Sequence, residues 1–176
     1  MKKKIVLSSV FFILFLVIIY ISLEFIFSST TLDKNYCPFC DRKVIEYQKY
    51  YEDDLVMGLL THRPVCKGHC LIIPKRHIER FEKLNEEEVL AIADLIKKTH
   101  RAAAKVVKAD SYILLQKNGS NVGQTVPHIH CHYIPRRADE RFIFLFFLRF
   151  TLNPLFSPIS QKEMNYMTSS FTEALN

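Results

Sequence analysis

The sequence has no tryptophan, few glycines and no basic cluster with interleaved aromatic residues. The last absence argues against nucleic acid as a partner, because the net charge of +6 is modest and belongs in part to the N-terminus. Five cysteines are present, but two have a spacing typical of zinc ligands, so we do not expect a disulfide scaffold. A length of 176 residues predicts one domain with additional segments.

Charge is absent from a long stretch near the N-terminus, Ile5 to Leu23, which follows three lysines. A stretch of about 19 uncharged residues is long enough to cross a bilayer as one helix. A secretory signal peptide is the competing interpretation, but its apolar core is usually about 7–15 residues long and ends at small residues. We therefore predict a single-pass membrane anchor over residues 1–28 and a linker over 29–35. The orientation is left open, because basic residues lie on both sides of the stretch.

The apolar pattern further along predicts an α+β domain. Asp54 to Leu60 and Cys70 to Ile73 are typical of neighbouring strands, and Tyr112 to Gln116 of a further strand. Between them, Asn85 is an N-cap candidate, and apolar residues recur at helical spacing through about Val107. This order predicts an antiparallel sheet with one long central helix.

Three histidines at alternate positions, His128, His130 and His132, are the most informative feature of the chain. If the segment is a strand, the three rings share one face, and Ile129 and Cys131 share the other. Adjacent imidazoles suit either metal binding or nucleophilic chemistry near neutral pH, because both ring nitrogens can bond. The alternative is a histidine-rich surface patch.

The loop before these histidines, residues 117–126, favours a binding site over a surface patch. Gly119 and Gly123 permit positive φ angles and a close approach of the backbone to a ligand. Gln124 and Thr125 place neutral hydrogen-bonding groups beside the imidazoles, as an anionic substrate requires.

Two motifs together resemble the histidine triad (HIT) family. Gly123-Gln124-Thr125-Val126-Pro127 and the three histidines match the family signature. Arg63 to His77 is similar to the family's Gly-His strand, in which His69 matches a fourth active-site histidine. The resemblance covers Tyr36 to Asp139 and implies a HIT domain over residues 36–140 that forms a homodimer.

The resemblance also implies a nucleotide hydrolase or transferase. In the implied mechanism, His130 attacks the α-phosphate of a nucleotide derivative, and water then releases a nucleoside monophosphate from the covalent nucleotidyl-histidine. His132, His69 and His128 complete the implied catalytic set. The implied substrate-binding residues are Lys117, Asn118, Gly123, Gln124 and Thr125. No magnesium motif is visible, which suits a mechanism based on histidine.

Cys37-Pro38-Phe39-Cys40 is compatible with zinc binding, with a redox pair or with two free thiols. A redox pair favours a thioredoxin-like βαβ context, which the downstream pattern does not offer. The resemblance to zinc-bearing bacterial HIT proteins implies a structural Cys₂His₂ zinc site, whose ligands would be Cys37, Cys40, His77 and His128.

Two branches of the family compete for the substrate. Gln124-Thr125 resembles the Fhit branch, which cleaves dinucleoside polyphosphates, whereas the Cys-x-x-Cys motif resembles the bacterial Hint branch, which favours nucleoside phosphoramidates. A uridylyltransferase-type activity is disfavoured, because His132 stands where that group has glutamine. Lys117 and Thr61 depart from the family pattern at a phosphate-contacting and a ribose-contacting position. They leave open an alternative, a membrane-tethered nucleotide-binding module without turnover.

The remaining residues, 141–176, contain an apolar segment and a predicted helix. Arg141 to Phe150 is too short to cross a bilayer and is expected to have a packing role, with a dimer contact or a membrane-surface ridge as alternatives. Ser160 to Glu163 has a capping-box pattern that predicts the start of a short C-terminal helix.

Overall fold

The computed structural model describes residues 36–139 and 157–176 and a few single positions, which are Leu14, Phe15, Val17, Leu148, Arg149 and Leu152. The chain divides into two units, Met1–Tyr36 and Cys37–Asn176, and all elements named below belong to the second. The predicted apolar segment from Arg141 to Phe150 lies outside the described residues, except for Leu148 and Arg149.

The prediction of a single-pass membrane protein is wrong. Within the part of the chain that the structure describes, no helix combines the length and the apolar character that a bilayer span requires. The helix at Glu86–Val107 has 22 residues, but charged side chains interrupt its apolar ones. The stretch from Ile5 to Leu23 lies outside the described residues, apart from Leu14, Phe15 and Val17.

A five-stranded antiparallel sheet forms the centre of the second unit. In chain order its strands are β1 (Lys49–Glu52), β2 (Val56–Leu60), β3 (Cys70–Pro74), β4 (Ser111–Gln116) and β5 (Cys131–Arg136). Their spatial order is β1-β2-β3-β5-β4, so β5 lies between β3 and β4. The predicted α+β class, with its antiparallel sheet, is confirmed.

The described residues form three α-helices, α1 (Arg42–Gln48), α2 (Glu86–Val107) and α3 (Gln161–Leu175). Helix α2 begins with a capping box, in which Asn85 accepts a hydrogen bond from the Glu88 N–H and the Glu88 carboxylate accepts one from the Asn85 N–H. The helix ends at Val107 and is followed by the C-cap residue Lys108, which has a left-handed conformation with φ of 60°. The helix predicted from Asn85 through Val107 is thus confirmed.

Helix α3 belongs to the same core as the sheet. Its buried side chains Met164, Met167 and Phe171 join Ile92 and Leu95 of α2 in one apolar cluster. Each such side chain contributes about 1.5–3 kcal/mol when it is fully buried. At the helix start, Ser160 accepts a hydrogen bond from the Glu163 N–H at 3.2 Å, as the predicted cap requires. The C-terminal helix is therefore confirmed, and it is integral to the fold.

Candidate active site and metal centre

The histidine-rich segment enters the sheet later than the sequence pattern predicts. Strand β5 begins at Cys131, so His128 and His130 precede the strand and only His132 lies within it. The reason is a change of partner: the Ile129 N–H donates to the Ile78 carbonyl at 2.6 Å, and the His128 N–H donates to the Val126 carbonyl at 2.8 Å. The three histidines therefore do not lie on one continuous strand, which was the condition for a face shared by all three rings.

The rings of His130 and His132 nevertheless lie side by side, with centroids 5.0 Å apart. His69, from the end of the loop before β3, packs against His132 at a centroid distance of 5.2 Å. His69 and His130 are buried and His132 is half-buried. Three of the four predicted catalytic histidines thus form one cluster, and His128 points into a second group of side chains.

The main chain sets the tautomer of His130. Its Nδ1–H donates to the His128 carbonyl at 2.8 Å, which leaves Nε2 as the basic nitrogen. Burial lowers the pKa of His130, so the ring is neutral at pH 7. A neutral, oriented imidazole with a basic Nε2 is suited to nucleophilic attack.

The tautomers of His69 and His132 follow from a relay of hydrogen bonds. The Val65 N–H donates to His69 Nδ1 at 3.3 Å, so His69 carries its proton on Nε2 and donates it to His132 Nδ1 at 2.9 Å. His132 in turn carries its proton on Nε2. Burial, followed by the charge of a neighbouring histidine, lowers the pKa of His69 to about 3 and that of His132 to about 2. The relay therefore makes His132 a neutral hydrogen-bond donor.

The glycine loop is held by Gln124, whose side chain is buried. Its Oε1 accepts a hydrogen bond from the Gly119 N–H at 2.6 Å, and its Nε2 donates to the carbonyls of Glu79 and Val126 at 2.9 and 3.0 Å. Gly119 and Gly123 have φ angles of 116° and 78°, which L side chains rarely adopt. The amide of Gln124 thus orients the loop backbone.

The other predicted binding residues differ in their surroundings. Asn118 connects the loop to the turn at Phe81–Lys83, because its Oδ1 accepts from the Phe81 N–H at 2.9 Å and its Nδ2 donates to Glu82 at 2.8 Å. Thr125 is exposed. Lys117 is half-buried, and its Nζ donates to the Gly123 carbonyl at 3.3 Å.

The four predicted metal ligands converge, with the ligand atoms of Cys37, Cys40, His77 and His128 all within 4.8 Å of one another. His128 Nδ1 lies 3.4 Å from Cys37 Sγ and 3.7 Å from Cys40 Sγ, and His77 Nδ1 lies 3.3 Å from Cys40 Sγ. Tetrahedral zinc with bonds of about 2.3 Å to sulfur and 2.0 Å to nitrogen separates its ligands by about 3.3–3.8 Å. The donor set therefore fits a metal ion of this kind.

A hydrogen bond outside the ligand set supports the same assignment. His128 Nε2–H donates to the Pro74 carbonyl at 3.0 Å, which directs Nδ1 toward the thiols. Metal-binding histidines are usually held in this way through their second nitrogen. Burial and the adjacent Cys40 raise the pKa of Cys37 to about 11, so a bound cation would have to stabilise the thiolate there.

Phe39 and several main-chain groups at the site are not predicted by the sequence. Phe39 lies between the two cysteines, is buried, and contacts His128 and His130 edge-on at centroid distances of 5.8 and 5.3 Å. A large apolar residue enclosed by two candidate ligands is the signal that could have identified it. The carbonyls of Pro74 and His128 and the N–H of Val65 leave no such signal, because every residue type offers them.

Comparison with known proteins places this geometry in a family. The family model described as "HIT domain" matches residues 42–139. An adenylylsulfatase from Arabidopsis thaliana is 38% identical over 116 residues, which cover 64% of this chain and 57% of that protein. An adenosine 5′-monophosphoramidase from Schizosaccharomyces pombe is 35% identical over 106 residues, which cover 59% of this chain and 77% of that protein. Both relatives are named as hydrolases.

A solved structure of a zinc-bound histidine triad family protein from Mycobacterium smegmatis is similar to this chain. The TM-score is 0.60 and the sequence identity 26%, and the match covers 80% of this chain and 96% of that one.

Proposed function

Since the chain belongs to the histidine triad family, we propose that it is a hydrolase that cleaves a nucleotide derivative at its α-phosphate and releases a nucleoside monophosphate. The observation that carries the proposal is the fixed tautomer of His130. A buried neutral imidazole with its Nδ1–H held by the His128 carbonyl presents Nε2 as a nucleophile without prior deprotonation.

In the proposed first step, His130 Nε2 forms a bond to the α-phosphorus, and the bond from phosphorus to the leaving group breaks. The leaving group departs with the bonding electron pair. The His130 ring then carries a positive charge, which the His128 carbonyl stabilises through the existing hydrogen bond at 2.8 Å. Because this acceptor is already in place, the charge develops without reorganisation of the protein.

Hydrogen-bond donors act on the phosphate and the leaving group. His132 would donate through Nε2–H, and the relay from Val65 through His69 holds that proton in position. Thr125 and Lys117 would contribute further donors from the loop, and Gly123 would allow the loop backbone to approach the phosphate. Gln124 and Asn118 would orient that loop through their contacts with its backbone and with the turn at Phe81–Lys83.

In the second step, water attacks the phosphorus and the bond to His130 Nε2 breaks. The ring keeps the electron pair and returns to its neutral tautomer. The water loses one proton to solvent, and the nucleoside monophosphate leaves. The division into two displacements lowers the barrier of each.

We propose further that Cys37, Cys40, His77 and His128 hold a zinc ion. The ion would supply no chemistry to the reaction; it would fix the N-terminal turn against the segment that carries His130. The support is the set of ligand distances and the hydrogen bond from His128 to the Pro74 carbonyl. The resemblance to HIT proteins also makes a homodimer an expectation.

The substrate class remains between a nucleoside phosphoramidate and a compound with an α-phosphoanhydride, such as an adenylyl sulfate or a dinucleoside polyphosphate. The name of the plant relative, an adenylylsulfatase, supports an α-phosphoanhydride, and the name of the yeast relative, an adenosine 5′-monophosphoramidase, supports a phosphoramidate. The chain spans about half the length of the plant relative, so the activity of that protein is a guide to candidates only.

The experiment incubates the purified protein with an adenosine phosphoramidate and with a diadenosine polyphosphate, and measures AMP release. We expect turnover of at least one compound and its loss in His130→Ala. If both compounds bind tightly and neither is cleaved, the chain is a nucleotide-binding module without turnover.

A further inference from the structure

Lys117 directly follows β4, the strand that pairs with β5. In that pairing Leu115 lies opposite His132 and Gln116 lies opposite Cys131. Directly opposed residues of an antiparallel pair point to the same side of the sheet, so Leu115 and His132 share a face. Lys117 therefore lies at the end of β4 that is beside His132.

The lysine is also enclosed by the glycine loop. Its Nζ donates to the Gly123 carbonyl at 3.3 Å, and a Cβ added at Gly123 would lie 3.2 Å from the same nitrogen. The side chain of Lys117 is half-buried. Burial first, then His69 and His130, and finally the Lys117 charge lower the pKa of His132.

Arg80, the other cationic side chain at this loop, has a different role. Its Nη1 donates to the Asn118 carbonyl at 3.2 Å, and its Nε forms an ion pair with Glu82 at 3.2 Å. Its charge is thus compensated by a carboxylate. Lys117 is a second cation at this loop, and its Nζ is bonded to the Gly123 carbonyl.

The effect of such a cation on bond cleavage depends on the charge of the leaving group. When an α-phosphoanhydride is cleaved, the breaking P–O bond leaves its electron pair on an oxygen of sulfate or phosphate, and an adjacent cation stabilises that anion. When a phosphoramidate is cleaved, the P–N bond leaves its electron pair on a nitrogen, which must take a proton to depart as an amine. A fixed cation disfavours a second positive charge at that nitrogen.

We propose that Lys117 selects substrates by the charge of the leaving group and favours nucleotides whose α-phosphate is joined to an anionic acid over those joined to an amine. This selection rests on the proposed hydrolase function and names the preferred substrate class within it. The chemistry identifies adenylyl sulfates and nucleoside polyphosphates as members of that class.

The test compares kcat/KM for adenosine 5′-phosphosulfate and for adenosine 5′-phosphoramidate in the unaltered protein, in Lys117→Gln and in Lys117→Arg. We expect the ratio of phosphosulfate to phosphoramidate turnover to fall by about tenfold or more in Lys117→Gln. Lys117→Arg keeps the charge and should retain most of the ratio. Lys97→Gln, at an exposed lysine of α2, is the matched control and should leave the ratio unchanged.

A second measurement does not depend on turnover. Calorimetry gives the dissociation constants of the same two compounds for each variant. The phosphosulfate carries the greater negative charge, so its affinity should fall more than that of the phosphoramidate in Lys117→Gln. An equal loss for both compounds in turnover and in affinity would overturn the role of Lys117 and leave the hydrolase function intact. If the unaltered protein cleaves neither of these compounds nor a diadenosine polyphosphate, the hydrolase function fails and the affinities alone decide the role of Lys117.

Discussion

His128 and His130 are two residues apart, yet a backbone carbonyl accepts a hydrogen bond from a different ring nitrogen in each of them. His128 gives Nε2–H to the Pro74 carbonyl and directs Nδ1 toward two thiols, whereas His130 gives Nδ1–H to the His128 carbonyl and keeps Nε2 basic. In each ring the nitrogen that is not bonded to a carbonyl remains available. It is Nδ1 in the candidate metal ligand His128 and Nε2 in the candidate nucleophile His130. Residue type alone does not make this distinction.

The two regions also touch. Phe39, between the metal-centre cysteines, contacts the rings of both His128 and His130, and the His128 carbonyl is the acceptor that fixes the His130 tautomer. The candidate metal centre is therefore in a position to support the geometry of His130, the candidate nucleophile. Variants in the candidate metal centre and variants at His130 should therefore have different effects on stability and on turnover.

The largest difference in kcat should appear between His130→Ala and His77→Ala. Removal of the nucleophile should lower kcat by at least about 10³-fold and leave the metal content unchanged. Removal of His77, one of the four candidate metal ligands, should lower the metal content and leave measurable turnover. Steady-state kinetics together with elemental analysis of both variants decides the matter, and similar losses of turnover in the two would contradict the separation.

Metal removal should act mainly on stability. Cys40→Ser, or treatment with a chelator, should lower the free energy of unfolding by on the order of 3–4 kcal/mol. A ligand that binds only the folded state stabilises it by RT ln(1 + [L]/Kd), which has this size when the free ion is at about 100–1,000 times its Kd. Urea denaturation with and without added zinc measures the effect. Cys66→Ser, at a half-buried cysteine outside the metal centre, is the control. A protein with no response to zinc or to chelators would rule out the metal site.

The relay in the active site should make the fold sensitive to acid. His69 and His132 have folded pKa values of about 3 and about 2, below the unfolded value of 6.5, so the unfolded chain binds protons that the folded protein does not. Stability should be full above pH 6.5 and should fall as the pH decreases toward these values. By pH 5 the loss should be on the order of 2 kcal/mol for each histidine.

Urea denaturation at pH 7.5 and pH 5 measures this loss, and His69→Gln with His132→Gln should reduce the difference between the two pH values. Because loss of the metal at low pH affects both proteins alike, the comparison isolates the relay. An undiminished difference in the double variant would show that other groups cause the acid sensitivity.

The smallest effect should come from Phe39→Leu. A leucine keeps an apolar residue in place but loses the edge-on ring contact with His130, so kcat should fall by about 3–10-fold while KM and the metal content are retained. Phe81→Leu, at an exposed aromatic residue, is the matched control. If KM rises and kcat is unchanged, Phe39 acts on substrate binding and not on the position of the nucleophile.

Much of the fold is predictable because it depends on local signals. Asn85 and Glu88 form the expected capping box, and strands β2, β3 and β4 lie where the apolar runs indicate. Strand β1 was not predicted, since the four residues of Lys49–Glu52 have no distinct alternation. The membrane prediction rested on the length and lack of charge of a stretch that lies mostly outside the described residues.

The residues of the candidate site are predictable from the sequence, but the hydrogen bonds that orient them are not. The alternating histidines and the Cys-x-x-Cys motif identify the groups, and resemblance to a family assembles them. The start of β5 at Cys131 and the tautomers of His128 and His130 depend on carbonyls of Val126, Ile78, Pro74 and His128 itself. These contacts join distant parts of the chain through main-chain atoms, which no residue type announces.

The most direct measurement is mass spectrometry of the protein quenched during turnover of an adenosine substrate, followed by location of the modified peptide. We expect an adenylyl group on the imidazole of His130 and its absence in His130→Ala. An adduct on another residue, or turnover without an adduct at any quench time, would contradict the role of His130 as the nucleophile.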